Sequence, residues 1–139
     1  MYTTVANVKL ESGFSDNSNI ADTTVTRYIT ASDDIINGVL KKNYTLPLEE
    51  VPALIEQISR LMSAGYLMLE QYGTEAEGTS FDGQAKITQA TKYLDQIEKG
   101  ILLLIGVDGA EITTSGATGL KGYPTNEQSE AKIAIDTKF

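Results

Sequence analysis

The sequence predicts a mainly α-helical fold: a small bundle of three long helices, a short N-terminal helix before them, and an extended Gly-rich C-terminal arm ending in a β-strand. Three observations predict it. Apolar residues recur at helical spacing in three separate stretches, each long enough for roughly five turns. The composition breaks at Gly106, beyond which Gly, Thr and Ser dominate. The residues from Ala131 to Phe139 alternate apolar with polar, which is the period of a strand. A length of 139 residues suits one globular domain with a real core. The expected division is a helical domain over residues 1–105 and an arm over residues 106–139.

Each element has its own signal. Val5, Val8 and Leu10 outline a short helix over residues 3–11. Ser12–Asn19 is rich in Gly, Ser, Asn and Asp and reads as a loop. From Thr24 to Asn43, Val25, Tyr28, Ile29, Ile35, Ile36, Val39 and Leu40 fall within an arc of about 140°, with Asp22, Thr23 or Thr24 as N-cap. Pro47 then biases Leu46 away from helical dihedrals, so Tyr44–Leu48 is expected to be extended. Pro52 stands where a helix can start, because its missing N–H is unpaired there anyway.

The helix over residues 52–72 carries a wider stripe of about 160°, with Leu67 outside it, and should be touched on more than one side. Gly65 lies within that stripe, where glycine costs about 1 kcal/mol relative to Ala. The expected gain is close approach of another backbone. A polar loop over residues 73–83 precedes the last helix, expected over residues 83–104. Its stripe is Ile87, Ala90, Leu94, Ile97, Ile101 and Ile105.

Composition removes several function classes. Eleven Lys and Arg against nineteen Asp and Glu leave a net charge of -8. That balance opposes gripping of phosphate backbones or anionic membranes. There is no Cys, so no disulfide, thiolate nucleophile or sulfur-ligated zinc. There is no His, which excludes Ser–His–Asp and Cys–His catalysis. The N-terminus has neither a basic start nor an apolar run, and the longest apolar run, Ile101–Ile105, is far too short to span a membrane. A soluble intracellular product is expected.

The search for chemistry yields little. Gly116-Ala-Thr-Gly119-Leu-Lys121 fails as a phosphate loop, because Leu120 stands where Gly must precede the Lys. Asp16-Asn17-Ser18-Asn19 opens like a calcium loop, but Ala21 and Arg27 occupy the places that need Gly and Glu. Asp33-Asp34, Glu49-Glu50 and Glu75/Glu77 read as solvated charge rather than as acid/base pairs. Ser129 and Lys132 have the spacing of a Ser–Lys nucleophile but fall in the arm. Tyr44, Tyr66, Tyr72 and Tyr93 lack the basic stripe of a nucleic-acid platform and read as core-edge tyrosines. No enzyme and no cofactor are expected.

Two segments resemble a known family. Ile36-Asn-Gly-Val-Leu40 through Tyr44-Thr-Leu46-Pro47-Leu48-Glu-Glu-Val51-Pro52-Ala-Leu54-Ile55 resembles the middle of a tailed-phage family found also in Mu-like prophages. Tyr93-Leu-Asp-Gln-Ile97-Glu-Lys-Gly100-Ile101 is similar to that family's last helix. Residues 1–105 match in order, while the arm matches poorly. The resemblance implies a head–tail connector (adaptor, or head-completion) protein of the virion neck, assembled in the host bacterial cytoplasm. Its partners would be the portal protein, neighbouring copies in a ring that is typically dodecameric, and a neck, stopper or tail protein. DNA would pass through the ring without specific binding. Tyr44, Leu46, Pro47 and Leu48 would be structural contact residues, and Gly65 joins them on its place in the stripe alone.

The alternating C-terminal strand has no partner strand in the helical body. It is expected to add to a sheet edge of another subunit or of the portal, with Ile133, Ile135 and Phe139 filling pockets. Folding back on its own helices is the other reading. A helical interaction subunit of a non-phage bacterial complex is the alternative function, and a carboxylate-based hydrolase is the enzymatic one.

Overall fold

The computed structural model describes residues 1–73 and 79–112. These residues form four helices in chain order: α1 (Val5–Glu11), α2 (Asp22–Leu40), α3 (Ala53–Tyr72) and α4 (Thr79–Glu98). The fold is mainly helical, as the stripes predict. The candidate strand residues Ile133, Ile135 and Phe139, the Gly116–Gly122 stretch, the Ser129/Lys132 pair and Glu75/Glu77 lie outside the described residues.

Helix α1 is too short to persist alone in water. Thr4 caps it, its hydroxyl oxygen accepting the Asn7 N–H at 3.2 Å. Val8 anchors it, fully buried beside Phe14, Ile20, Val25, Ile29, Ala64, Leu67 and Met68. The loop after α1 is therefore not merely polar, since it drops Phe14 and Ile20 into this smaller core. Asn17 forms a local turn there, its Oδ1 accepting the Asn19 N–H at 2.9 Å, the ordinary behaviour of Asn in a loop.

Helix α2 starts at Asp22, and its N-cap is Ala21, without a side-chain cap. The expected cap role of Asp22, Thr23 or Thr24 is not filled. Asp22 instead pairs with Lys9 of α1 at 2.8 Å, placing a carboxylate on the positive end of the helix. The helix ends at Leu40 rather than Asn43. Val25, Ile29, Ile36 and Leu40 are buried as the stripe predicts, whereas Ile35 is exposed.

Helix α3 is the central element and packs on α1, α2 and α4. Pro52 is its N-cap in extended conformation, and Gly73 closes it with φ 78°. One side contributes Ile55, Ile58, Leu61 and Met62 to the larger core, with Ile36, Leu40, Tyr44, Ala90, Leu94, Ile97 and Leu104. The other side gives Ala64, Leu67 and Met68 to the smaller core. Leu67, outside the predicted stripe, is thus buried because the stripe counted only one of two packed faces. On the outer seam with α2, the Tyr28 hydroxyl donates to Glu70 Oε1 at 2.6 Å and Arg27 pairs with the same oxygen. The hydroxyl bond is the main reason the Glu70 carboxyl is held below its usual range.

The crossing of α3 and α4 is built on two glycines. A Cβ at Gly65 would lie 2.6 Å from Ile87 Cγ1 and 2.7 Å from the Gly83 carbonyl oxygen. A Cβ at Gly83 would lie 3.0 Å from the Gly65 carbonyl oxygen. The backbones come close here: Gly65 has no room for a side chain, and one at Gly83 would need its neighbours to give by a few tenths of an ångström.

Helix α4 corrects the sequence reading at both ends. It begins at Thr79 rather than residue 83 and stops at Glu98 rather than 104. The reason for the early stop is Gly100, whose φ of 76° turns the chain out of the helix. The Ile101 and Leu102 N–H groups both reach back to the Gln96 carbonyl, at 2.8 and 3.1 Å. Asn43, just beyond α2, donates from its side chain to the Glu98 carbonyl at 3.1 Å and satisfies one of the open acceptors. Ile101 and Ile105, assigned to the helical stripe by spacing, are not part of it.

Candidate interaction surface

Beyond Gly100 the chain bends at Ile101–Leu102, and its burial alternates from there to Val107. Leu104 is fully buried and Leu102 packs half-buried against the larger core. The odd positions face outward: Ile101 is 67% exposed, Leu103 46%, Ile105 47% and Val107 81%. The chain then turns through Gly109, with φ 85°, and comes back antiparallel. Gly106 N–H donates to the Ala110 carbonyl at 2.7 Å and Ile112 N–H to the Leu104 carbonyl at 2.8 Å, around the facing pair Ile105 and Glu111. Ile112 packs on the larger core, so residues 106–112 lie against the helical body.

The Tyr44–Leu48 link holds this turn from below. Tyr44 is buried, and its hydroxyl oxygen accepts the Leu104 N–H at 3.4 Å. Burial raises the Tyr44 hydroxyl above the ordinary phenol range, Leu104 pulls the other way, and Glu111 adds to the rise. Leu46 and Leu48 lie half-buried on the same core, while Pro47, joined to Leu46 by a cis peptide bond, is exposed. Link and turn border a groove of about 520 Å³ whose lining includes Pro47, Leu48, Ala110 and Ile112. Its rim is acidic, carrying Glu49, Glu50, Asp108 and Glu111. Glu50 ties the two walls together, its Oε1 accepting the Val107 N–H at 3.2 Å. Such a rim disfavours anions and suits a cationic or neutral segment. Among the described residues no carboxylate, Cys or His group is arranged to hold a metal ion.

The candidate contact residues separate into two places. Tyr44, Leu46, Pro47 and Leu48 come together under the turn, whereas Gly65 lies at the α3–α4 crossing. Tyr66 and Tyr93 pack half-buried on the larger core, and Tyr72 stands exposed beside Phe14, its ring centroid 5.4 Å away. Sequence reasoning missed the outward row Ile101, Leu103, Ile105 and Val107. Lys99-Gly100 was the available signal, since a basic residue followed by Gly marks a helix end.

A second correction concerns Asp33, read from sequence as solvated. It is 8% exposed, on the inner side of α2. Its Oδ1 accepts the Ser59 hydroxyl at 2.6 Å and its Oδ2 the Tyr2 N–H at 2.8 Å. Nearby, Tyr2 donates through its hydroxyl to Asn37, Thr3 bonds Glu56 at 2.8 Å, and Ser63 bonds Ser32 at 3.1 Å. A buried carboxylate is stable here because donors surround it. It fastens the N-terminal residues to α2 and α3. Asp34, its neighbour in sequence, is exposed.

No described helix is long and apolar enough to cross a membrane. No curated protein matches the chain. The family model described as "Bacteriophage Mu, Gp36" matches residues 3–121, well over half of the sequence, and spans all four helices, the link, and the turn that carries the exposed apolar row. On that match, the chain belongs to the bacteriophage Mu Gp36 family.

Proposed function

We propose that the chain is a structural protein of the phage virion: a subunit of a ring that joins the portal at the capsid vertex to the neck or tail. The ring has twelve copies, lets DNA pass, and is assembled in the host bacterial cytoplasm. The chain acts by contact with proteins and carries out no catalysis. One observation carries this reading, beyond membership of a phage family. The row Ile101, Leu103, Ile105 and Val107 stands outward on a small helical body that has already buried its stripes. Monomeric proteins rarely expose contiguous apolar surface of this kind, and such patches mark protein interfaces. The same surface borders the acidic groove, so the interface has an apolar centre and a polar rim, the usual anatomy of a specific contact.

The test is assembly. The purified full chain, mixed with the portal of its own phage, is expected to co-sediment and to appear in electron micrographs as a ring stacked on the portal, with a mass of twelve subunits. A chain that stays monomeric and unattached in the presence of the portal overturns the proposal.

A further inference from the structure

Among the described residues, none bonds the Leu103 or Ile105 backbone, so the edge beside the exposed row is open there as well as apolar. The Leu104 carbonyl accepts the Ile112 N–H and the Gly106 N–H donates to the Ala110 carbonyl, while the Leu104 N–H goes to the Tyr44 hydroxyl. In an antiparallel pair, alternate residues direct their N–H and C=O groups to opposite sides. Leu103 and Ile105 therefore present theirs to the far side, away from residues 110–112. Natural edges are guarded by Lys, Pro or a covering element. Residues 101–107 contain neither Lys nor Pro.

We infer that this edge receives the alternating segment Ala131–Phe139 of a neighbouring copy of the chain. The inference rests on the ring reading for the presence of neighbours and adds which surfaces join them. Pattern supports it: Ile133, Ile135 and Phe139 share one face of an extended segment and can align with Leu103 and Ile105 on the same side of a shared sheet. Charge supports it too. Residues 113–139 carry three Lys and three acidic residues, so the whole excess of -8 belongs to residues 1–112. Within Ala131–Phe139, Lys132 and Lys138 outnumber Asp136, and the receiving edge adjoins the rim of Glu49, Glu50, Asp108 and Glu111.

Reach allows the segment to meet a neighbour. From Ile112, the free edge of the same chain is about 10 Å away, two strand spacings, which about three residues can cover. The intervening residues 113–130 can extend to about 60 Å. A body of this size has a radius of gyration of about 13 Å. The tether is thus long enough to cross the width of a body and meet a neighbour.

Two full-length variants test this. Leu103→Lys with Ile105→Lys blocks the edge at exposed positions and leaves the segment intact. Ile133→Asp with Ile135→Asp blocks the segment and leaves the edge intact. Both should keep the helix content and melting temperature of the parent. By light scattering, each alone should remain monomeric where the parent associates. Mixed, they should form a one-to-one heterodimer with twice the subunit mass, since one productive junction remains. A mixture that stays monomeric, a variant that associates like the parent, or a parent that is monomeric at hundreds of micromolar overturns the inference. A heterodimer from variants whose parent ignores the portal would retain this junction and remove the portal role. Rings on the portal with no heterodimer would do the reverse.

Discussion

Asp33 shows what one buried carboxylate does for a small helical body. Its two oxygens serve the Ser59 hydroxyl and the Tyr2 N–H, groups that have no other described partner at that point. Asp33→Ala should lower stability by about 1–3 kcal/mol by stranding the buried Ser59 hydroxyl, measured by urea denaturation. Asp33→Asn, which keeps an acceptor in place, should lose less. The pair Asp33-Asp34 also explains why sequence misjudged the residue. Adjacent charged residues read as a wet face, and nothing in their order says that α2 turns one of them toward Ser59. Tyr44 offers a second check with a pH dependence. Its folded pKa is raised, chiefly by burial. Its contribution to stability is therefore complete below about pH 10 and is lost as pH rises through the folded value. Tyr44→Phe should cost about 1 kcal/mol at neutral pH through the bond lost to Leu104. It should also flatten the alkaline limb of the unfolding curve. Tyr2 and Tyr28 are raised in the same direction, so a shallower limb should remain.

Among the elements, the α3–α4 crossing gives the clearest outcome. Gly65→Leu should destabilise the protein despite Leu's better helix propensity, because the new side chain meets Ile87 and the Gly83 backbone. Overpacking of this kind costs typically 1–3 kcal/mol. A melting temperature equal to the parent's would show that the helices can part there at no cost. The existence and order of the four helices were legible from spacing, and so was the need for glycine at position 65, since a costly residue within an apolar stripe calls for a geometric reason. Boundaries were less so. The run Ile101–Ile105 is apolar at every position, so it fits a helical stripe and a strand equally well. The decision came from Gly100, where a left-handed residue ended α4 and turned a continuation of the core into an outward row. The exposed row was hidden from sequence for that reason.

At the scale of the molecule, charge sets the expected behaviour toward DNA. In the proposed ring, a net charge of -8 on every chain would disfavour a bound polyanion, so DNA should pass without sticking. No binding to duplex DNA should be measurable at physiological salt. Micromolar affinity that weakens steeply with added salt would contradict this. The arrangement of the helices has a consequence for how the body opens. Helix α3 lies between two cores and touches each of the other three helices, whereas α1 is a short clasp of about two turns on its flank. An opening that frees α3 must break both cores together, but one that frees α1 need break only the smaller. Local stability should be graded accordingly. In native-state hydrogen exchange, the amides around Ile58–Met62 should exchange only through global unfolding. Those of α1 should exchange through a cheaper partial opening that leaves the larger core, and with it the seat of the exposed row, intact.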